Sequence, residues 1–303
     1  MPPKVFIVIL NWNQRNDTLE CLQSLKQLIY PNFEIVIVDN GSTDDSVKEF
    51  HSNYPNLQII SLSENRGCAG GRNAGLRFAL ANEAEYILFL DNDTIVDPEF
   101  LTKLVEAGQD DTSVGILGPK IFYYDDPHRI WTAGALIDWK TGYSTSIGNG
   151  ELDSEKYRSL REVDFVAGCA LLAKAHVFTD IGEFDEDYFI YFEETDWCAR
   201  ARKAGHKILF IPGAVLWHKE SKSLGGASSP KKLYYLTRNQ ILFIRKNLSN
   251  EFILPASTRL ILRNMRYALG DLKHGHTPQA RSRFLGIRDG LRNRYNDNKR
   301  YQG

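Results

Sequence analysis

The sequence predicts an α/β protein with a mostly parallel central sheet flanked by helices and a helical C-terminal extension. Three observations support this prediction. Within the first 90 residues, short apolar runs alternate with segments of helical periodicity, as expected for a sheet covered by helices on both faces. Polar residues follow several of these apolar runs, at the positions where the predicted strands end. From Lys231 onward the pattern is helical, with breaks expected at Pro255, Gly270 and Pro278.

The predicted strands are continuous apolar runs, which is typical of strands buried on both faces. They cover residues 5–10, 34–39, 57–62 and 86–90. Leucines at helical spacing predict a helix from Asp17 to Leu28, and a further helix is expected from Gly71 to Ala81. The turn residues that follow Asp39 predict the start of another helix.

The second half of the chain has a less regular pattern. Glycines and aromatic residues within residues 120–165 predict a short antiparallel excursion or a lid. A helix is expected from Glu193 to Lys203, ended by Gly205. Two short strands are expected after it, at residues 207–211 and 215–217.

Composition is that of an ordinary globular protein. The 303 residues are 43% hydrophobic and 25% charged, which is enough for a full core. The net charge of −1 is unevenly spread, because residues 241–303 hold 13 Lys and Arg against 4 Asp and Glu. This basic segment predicts an anionic partner such as a membrane surface, whereas the acidic body disfavours nucleic acid.

Cysteine usage and hydropathy predict where the protein is found. The four cysteines show neither metal-site spacing nor a disulfide pattern, so we expect core residues in a reducing compartment. The apolar start at residues 5–10 is too short for a signal peptide, and no apolar run approaches the roughly 18 residues of a membrane span. We expect a cytoplasmic protein, with peripheral contact to the inner face of the membrane as a further hypothesis.

The most informative motif is an acidic pair at the end of the fourth apolar run. In extended backbone Asp91 and Asp93 point to the same side and Asn92 points away. Two such carboxylates repel each other unless a cation or a proton lies between them. Their oxygens suit Mg²⁺ or Mn²⁺, and His218 would complete such a site with Asp93. The alternative is an acidic turn that only closes the strand.

A second set of residues suits a nucleotide. The carboxylate of Asp39, at the end of the second strand, can accept hydrogen bonds from a pyrimidine or a ribose hydroxyl; a turn or helix cap is the alternative. The glycine-rich segment after the third strand suits an anion, to which Arg66 or Arg72 would add charge. Such residues at strand ends are expected to converge on one edge of the sheet. The predicted nucleotide-binding residues are Asn11, Asp39, Arg66, Gly71, Asn73 and Asp91.

Acidic residues also open the helix predicted at residue 193. A carboxylate in a partly apolar cleft can act as a general base, and the candidates are Glu193, Glu194 and Asp196. The alternative is an acidic first turn that complements the helix dipole. A helix N-terminus lowers the pKa of such a carboxyl group and burial raises it, so the sequence leaves the direction open.

Together and in order, these motifs resemble the family 2 glycosyltransferases, which have the GT-A fold, and within them the rhamnosyltransferase-like and galactofuranosyltransferase-like branch. The resemblance extends over residues 5–247. Its main segments are Val-Ile-Leu-Asn-Trp-Asn, Val-Asp-Asn-Gly-Ser-Thr-Asp, Glu-Asn-Arg-Gly, Gly-Gly-Arg-Asn-Ala-Gly, Leu-Asp-Asn-Asp, Val-Asp-Phe-Val-Ala-Gly-Cys, Tyr-Phe-Glu-Glu-Thr-Asp-Trp and Tyr-Tyr-x-x-Arg-Asn. Each segment is modest alone, and the ordered set is specific.

The resemblance implies roles for the residues of the predicted sheet edge. Asp39 would hold the pyrimidine, and Asp93 would bind Mg²⁺ or Mn²⁺ with His218 as a further ligand. Asp91 would lie near the ribose or the metal. A catalytically inactive nucleotide-sugar-binding module and a sugar-1-phosphate nucleotidyltransferase are the alternatives.

The resemblance also implies a general base and an acceptor side. The family usually has Glu-Asp where this chain has Glu-Glu, and the second residue of the pair, Glu194, would be the base. Asp196 is the second choice. The residues expected on the acceptor side are Gly168, Cys169 and Trp197.

The expected activity is inverting, metal-dependent sugar transfer from a UDP- or dTDP-sugar such as dTDP-rhamnose. The expected acceptor is a hydroxyl of a glycan or lipid-linked molecule in cell-surface polysaccharide synthesis. Residues 1–245 would form the transferase domain, with a nucleotide-sugar half at 1–118 and an acceptor half at 119–245. Residues 246–303 would form the basic helical extension.

Overall fold

A ten-stranded sheet forms the centre of the part of the chain that the computed structural model describes, residues 1–220 and 228–293. The strands are β1 Val5–Asn11, β2 Phe33–Asp39, β3 Gln58–Ser61, β4 Tyr86–Asp91, β5 Thr94–Val96, β6 Val114–Tyr123, β7 Ile130–Thr132, β8 Ala135–Asp138, β9 Tyr143–Ser146, β10 Arg161–Glu162, β11 Ala170–Lys174 and β12 Lys207–His218. The helices are α1 Arg15–Leu25, α2 Ser46–Asn53, α3 Gly67–Ala81, α4 Phe100–Asp110, α5 Ala175–Ile181, α6 Glu193–Lys203, α7 Pro230–Asn247, α8 Asn250–Lys273 and α9 Thr277–Leu291.

The first four strands are parallel neighbours in the order β4-β1-β2-β3, which confirms the predicted α/β class and its mostly parallel sheet. Their register aligns the ends of the strands. Asn11 pairs with Asp39, and Leu10 pairs with Asp91. The polar residues that end these strands therefore lie along one edge of the sheet, as the strand pattern predicted.

The second half of the sheet brings further residues to that edge. Strand β11 is antiparallel between β4 and β6, and β12 is parallel to β6. The start of β11, next to Cys169, and the end of β12 at His218 therefore lie on the same side as Asp91. The amide of Asp91 donates to the carbonyl of Cys169 over 2.9 Å.

Glycines of α3 set the distance between this helix and the sheet. A Cβ atom at Gly71 would lie 2.3 Å from Cδ1 of Leu10, and one at Gly75 would lie 2.3 Å from Cγ1 of Val8. Both distances are far below van der Waals contact, so only glycine lets α3 pack this closely on β1. This packing fixes the N-terminal turn of α3 beside the carboxyl ends of β1 and β4.

The segment at residues 120–165 contains the antiparallel excursion that its glycines predicted. Strand β7 pairs with the end of β6, and β8 and β9 form a separate two-stranded hairpin. The two short strands expected around residues 207–217 are instead one strand, β12. Its pairing with β6 shifts register between Ile211 and Val215, so a bulge interrupts a single strand where the proline and glycine predicted a break.

The C-terminal region is helical, as predicted, but two of its predicted breaks are wrong. Helix α8 runs through both Pro255 and Gly270. Proline removes the bond to the carbonyl of Glu251, an exposed residue at the start of the helix where water can satisfy that group. Gly270 lies near the end, where its cost of roughly 1 kcal/mol is tolerated. None of the described helices is long and apolar enough to cross a membrane.

Candidate active site

An open cavity of about 580 Å³ lies where β1, β4 and β12 end, a volume within the range of small-molecule sites. Its walls come from both halves of the sheet and from the N-terminal turns of α3, α6 and α7. The predicted site residues that line it are Asp91, Asp93, Gly168, Cys169, Glu193, Glu194 and His218. Residues more than 100 positions apart in the sequence therefore line the same cavity.

One wall of the cavity holds two carboxylates and an imidazole. Single side-chain atoms of Asp91, Asp93 and His218 all lie within 4.8 Å of one another, and Nε2 of His218 is 3.2 Å from Oδ1 of Asp93. Asn92 also lines the cavity, but its side chain is outside this cluster and donates to Oγ1 of Thr18 over 2.8 Å. Asp91 and Asp93 thus share a side, as predicted.

The surroundings of His218 fit a metal ligand. Only 9% of the residue is exposed, and the ring of Trp131 approaches it edge-on at a centroid distance of 4.8 Å. Burial alone would lower the pKa of His218, but the hydrogen bond and negative charge of Asp93 outweigh it and raise the pKa. Its Nδ1 is buried without a hydrogen-bond partner among the described residues. Two carboxylates and one imidazole form a donor set that suits Mn²⁺ or Mg²⁺.

Arg72 connects this wall to the acidic start of α6. Its guanidinium donates to Glu193 over 2.8 Å, to Asp91 over 3.0 Å and to the carbonyl of Gly168 over 2.9 Å. A Cβ atom at Gly168 would lie 2.8 Å from Nη1 of Arg72, so glycine makes room for this arginine. Burial alone would lower the pKa of Arg72, but the charges of Asp91 and Glu193 raise it. The arginine therefore stays charged between the two acidic groups.

The two glutamates at the start of α6 have different surroundings. Glu193 is 3% exposed and paired with Arg72, whereas Glu194 lines the cavity with no Arg or Lys at ion-pair distance among the described residues. Burial raises the pKa of both glutamates, and the charge of Glu194 raises that of Glu193 further. The charge of Arg72 lowers the pKa of both glutamates but does not cancel these effects. The pair therefore keeps a proton to higher pH than exposed glutamates do.

The segment that leads into α6 has an unusual backbone. Phe189, Tyr191 and Phe192 have positive φ angles of 63°, 67° and 72°, which cost about 1–3 kcal/mol each in non-glycine residues. Helix α7 holds the segment, since Nδ2 of Asn239 donates to the carbonyls of Tyr188, Ile190 and Tyr191. Arg238 donates to the carbonyls of Asp187 and Tyr188. The Tyr-Tyr-x-x-Arg-Asn motif thus positions the two glutamates.

Two predicted nucleotide-binding residues support the cavity from beneath. Asn11 is fully buried; it donates to Asp39 over 2.9 Å and accepts from Thr18 over 2.8 Å. Asp39 is 3% exposed and also accepts from the amide of Ser42. Neither residue lines the cavity, although the neighbouring Asn40 does.

Three further predicted nucleotide-binding residues also lie outside the cavity lining. Arg66 donates to both carboxylate oxygens of Glu186, over 2.8 and 3.1 Å. Asn73 exchanges two hydrogen bonds with the backbone of Phe184. Gly71 faces Leu10 in the helix–strand contact described above.

The remaining predicted residues belong to α6 but point away from the cavity. Asp196 accepts hydrogen bonds from Tyr188, Arg200 and Asn247 and does not line the cavity. Trp197 is fully buried, stacked on Phe178 at a centroid distance of 4.3 Å. Both side chains hold α6 in place from its rear side.

Several cavity residues were not singled out from the sequence. Arg72 was considered only as an alternative to Arg66, although both lie in the same glycine-rich segment. Lys231 and Lys232, at the start of α7, line the mouth beside the rings of Trp12 and Tyr191. Two adjacent lysines at the start of a long helix were the sequence feature that could have indicated these residues. Trp131, Ser144 and Asn149 carry no readable motif, because only the folding of β7–β9 brings them to the cavity.

Comparisons with known proteins agree with this geometry. The chain is 28% identical over 254 residues to the dTDP-rhamnosyl transferase RfbF of Shigella flexneri, covering 82% of each chain. It is 24% identical over 214 residues to an N-acetylglucosaminyl-diphospho-decaprenol L-rhamnosyltransferase of Mycobacterium tuberculosis, covering 63% of this chain and 68% of that one.

The fold also matches a solved glycosyltransferase structure. The mannosyltransferase PcManGT from Pyrobaculum calidifontis, in complex with GDP-Man and Mn²⁺, superimposes with a TM-score of 0.59 at 16% identity. The match covers 96% of this chain and 88% of that one, which identifies the GT-A fold. Residues 6–174, more than half of the chain, match glycosyl transferase family 2. The sheet edge with its acidic pair falls within this match, and the chain is therefore a member of glycosyl transferase family 2.

Proposed function

We propose that this glycosyltransferase moves a sugar from a UDP- or dTDP-sugar, with dTDP-rhamnose as first candidate, to a hydroxyl of a glycan or lipid-linked acceptor in cell-surface polysaccharide synthesis. The observation that carries the proposal is the shared cavity. One of its walls holds Asp91, Asp93 and His218, which suit a metal ion, and the other holds Glu193 and Glu194. The name of the Shigella relative supports rhamnose as the sugar. Family membership gives no support to the nucleotidyltransferase alternative.

The donor side of the proposed site uses mainly the first half of the chain, together with His218, Lys231 and Lys232 from the second half. Asp91, Asp93 and His218 would hold Mg²⁺ or Mn²⁺, which when bound supplies positive charge against the diphosphate of the donor. Lys231 and Lys232 line the cavity mouth and suit the same diphosphate. Asp39 remains the proposed pyrimidine partner, beside Asn40 of the cavity wall. Asn11, Arg66, Gly71 and Asn73 act in this scheme as supports of the nucleotide half.

The acceptor side uses Glu194 as general base. It is the acidic residue of α6 that lines the cavity without an ion-pair partner in the described part of the chain. Its carboxylate takes the proton of the acceptor hydroxyl, and that oxygen bonds to the anomeric carbon as the bond to the diphosphate breaks. Glu193 and Asp91 are held by Arg72, and Asp93 faces His218. Glu220, the other carboxylate of the lining, accepts a hydrogen bond from Trp131. We therefore propose no second carboxylate as nucleophile, which favours inversion. Gly168 and Cys169 would lie beside the acceptor, with Trp197 supporting α6 from behind.

The proposed organisation follows the same division. Residues 1–118 would bind the nucleotide sugar and residues 119–245 would supply the acceptor side and the base. Residues 246–303 would form a basic extension that contacts an anionic surface.

Thermal unfolding with UDP-, dTDP- and GDP-sugars, each with and without Mn²⁺, tests the donor proposal. A ligand that binds only the folded chain raises its Tm, so we expect a rise with a UDP- or dTDP-sugar that depends on Mn²⁺. A rise with GDP-sugars alone would contradict the pyrimidine assignment. NMR of the product then tests inversion through the anomeric configuration, and unchanged configuration would contradict it.

A further inference from the structure

Helix α8 exposes an apolar stripe along its length. Leu254, Leu262, Met265, Leu269 and Leu272 recur at intervals of eight, three, four and three residues, which places them on one face of a helix. Between 42% and 75% of each residue is exposed. The inward face instead packs on the rest of the chain through Ala256, Leu260, Asn264 and Ala268.

A row of positive charge runs beside this stripe. Arg259, Arg266 and Lys273 recur every seven residues, about two helical turns, so they form a line parallel to the leucines. All three are exposed, and none forms an ion pair with a residue in the described ranges. Two nearby arginines turn inward instead: Arg263 bonds to Gln240, and Arg283 bonds to Asp271. Arg281 and Arg292, outside α8, are also exposed. The outward positive charge of α8 itself therefore lies on one side of the helix.

We propose that α8 docks on an anionic membrane surface. Leucine side chains enter the boundary between headgroups and acyl chains, while arginine and lysine keep their charges at the level of anionic headgroups. The pattern meets both requirements on one helix. A second copy of this chain would bring the same row of positive charge, which would repel that of α8. An anionic membrane instead offers the negative charge that complements this row.

The direction of α8 relates this surface to the cavity. Helix α8 turns back along α7, because only two residues join the helices and Thr237 of α7 bonds to Asn264 in the middle of α8. The end of α8 at Lys273 therefore lies toward the start of α7, where the two lysines line the cavity mouth. Docking would bring this mouth near the headgroups. The advantage for a lipid-linked acceptor rests on the proposed function, whereas docking itself does not.

Vesicle co-sedimentation of the full chain tests the proposal. We expect binding to vesicles of phosphatidylcholine mixed with phosphatidylglycerol and much weaker binding to phosphatidylcholine alone. Replacing Arg259, Arg266 and Lys273 with Gln should lower partitioning roughly a hundredfold, from the loss of three charges. The double variant Leu262→Asn, Leu269→Asn should lower it by at least about tenfold.

Matched variants elsewhere on the surface control for general effects. Leu152→Asn with Leu160→Asn removes two leucines that are similarly exposed, and Lys26, Lys48 and Lys140 changed to Gln remove three exposed charges. Both controls should partition like the unaltered chain, and circular dichroism should show folded protein throughout.

Three results would overturn the proposal. They are equal binding to both vesicle types, unchanged binding of the α8 variants, and a lipid-free dimer that the Leu262→Asn, Leu269→Asn variant dissociates in sedimentation velocity. The last result would assign the stripe to a second copy of the chain. No sugar donor is present in these measurements, so a negative binding result would not contradict the proposed transfer reaction.

Discussion

The two acidic walls of the cavity differ in what stands next to their carboxylates. At the β4 wall, Asp93 faces an imidazole whose charge depends on pH, His218. At the α6 wall, Glu193 faces Arg72, a permanent cation at 2.8 Å. The first arrangement leaves two carboxylates and a ring nitrogen converging on one point. The second neutralises one glutamate and leaves its neighbour Glu194 on the cavity surface without an ion pair in the described chain.

This difference separates two tasks that acidic residues can perform. Converging carboxylates bind a cation, whereas a single carboxylate in a partly apolar wall takes a proton from a substrate. Arg72 links the walls because it bonds to Asp91 and Glu193 at once. One buried arginine therefore holds one acid of each wall, and Glu194, the proposed base, has no ion-pair partner among the described residues.

The largest expected effect comes from removing the proposed base. Glu194→Gln keeps the size of the side chain but cannot accept the proton, so kcat should fall roughly a thousandfold. Binding of UDP or dTDP with Mn²⁺ should stay unchanged. Asp196→Asn is the comparison, since Asp196 belongs to α6 but does not line the cavity. A larger loss of kcat per folded enzyme in Asp196→Asn would reverse the assignment of the base.

Removing the bridge between the two walls should destabilise the fold. Arg72→Met leaves Glu193 buried without a cation, and we expect the free energy of unfolding in urea to fall by about 3 kcal/mol. Arg77→Met is the matched control, because 54% of the Arg77 side chain is exposed in its pair with Glu183. The control should change by less than about 1 kcal/mol. Equal losses of unfolding free energy in the two variants would mean that burial does not strengthen the contribution of the Arg72–Glu193 ion pair to stability.

Loosening the α6 wall should cost activity and leave ligand binding intact. Asn239→Ala removes the donor to three carbonyls of the strained segment, so we expect kcat to fall about a hundredfold. The KM of the donor should change little. Asn53→Ala removes an exposed bond within α2 and should leave kcat unchanged. An unchanged kcat in Asn239→Ala would show that the segment keeps its shape without this clamp.

Breaking the β4 wall should weaken metal binding. Asp93→Asn replaces a charged ligand with a neutral one, so Mn²⁺ affinity in the presence of UDP should fall by at least about tenfold. Isothermal titration calorimetry measures this loss directly. Asp110→Asn, an exposed residue at the end of α4, should bind Mn²⁺ like the unaltered chain. Equal affinity of Asp93→Asn and the unaltered chain would exclude Asp93 as a ligand.

The smallest effect is a pH dependence of stability that belongs to the α6 wall. The pKa of Glu193 is raised in the folded chain, mainly by burial and then by Glu194. Its contribution to stability is therefore full below about pH 4.5, where the unfolded glutamate is protonated, and is lost as pH rises through the raised pKa. Glu193→Gln should flatten this fall, by at most about 1.4 kcal/mol per pH unit. Parallel pH curves for both proteins would contradict the raised pKa.

The sequence was sufficient for the parallel half of the sheet because periodicity and register are local properties. Continuous apolar runs predicted β1, β2, β3 and β4, and strand geometry predicted that Asp91 and Asp93 share a side. The order of strands in the second half depends on long-range pairing, so the antiparallel insertion of β11 could not be predicted. Helix α8 continues through Pro255 because the proline lies near the start of the helix, where the carbonyl that loses its partner belongs to the exposed Glu251.

The acidic residues of the candidate site could be predicted from the sequence, whereas the basic residues that pair with them were harder to predict. Chemical type pointed to His218 and to three acids of α6, and the family resemblance selected Glu194 among those acids. Arg66 and Arg72 have the same type and lie in one segment, and only the packing of α3 on β1 turns Arg72 toward Asp91 and Arg66 toward Glu186. A sequence lists possible ion pairs, whereas the fold selects among them.

The most direct test of the account is the rate of sugar transfer against Mn²⁺ concentration, measured together for the unaltered chain, Asp93→Asn and Glu194→Gln. High Mn²⁺ should restore part of the rate of Asp93→Asn, because that variant is expected to bind the ion more weakly. Glu194→Gln should stay slow at every Mn²⁺ concentration. Rescue of Glu194→Gln by Mn²⁺, or full activity of Asp93→Asn in the presence of EDTA, would contradict the division of labour between the two walls.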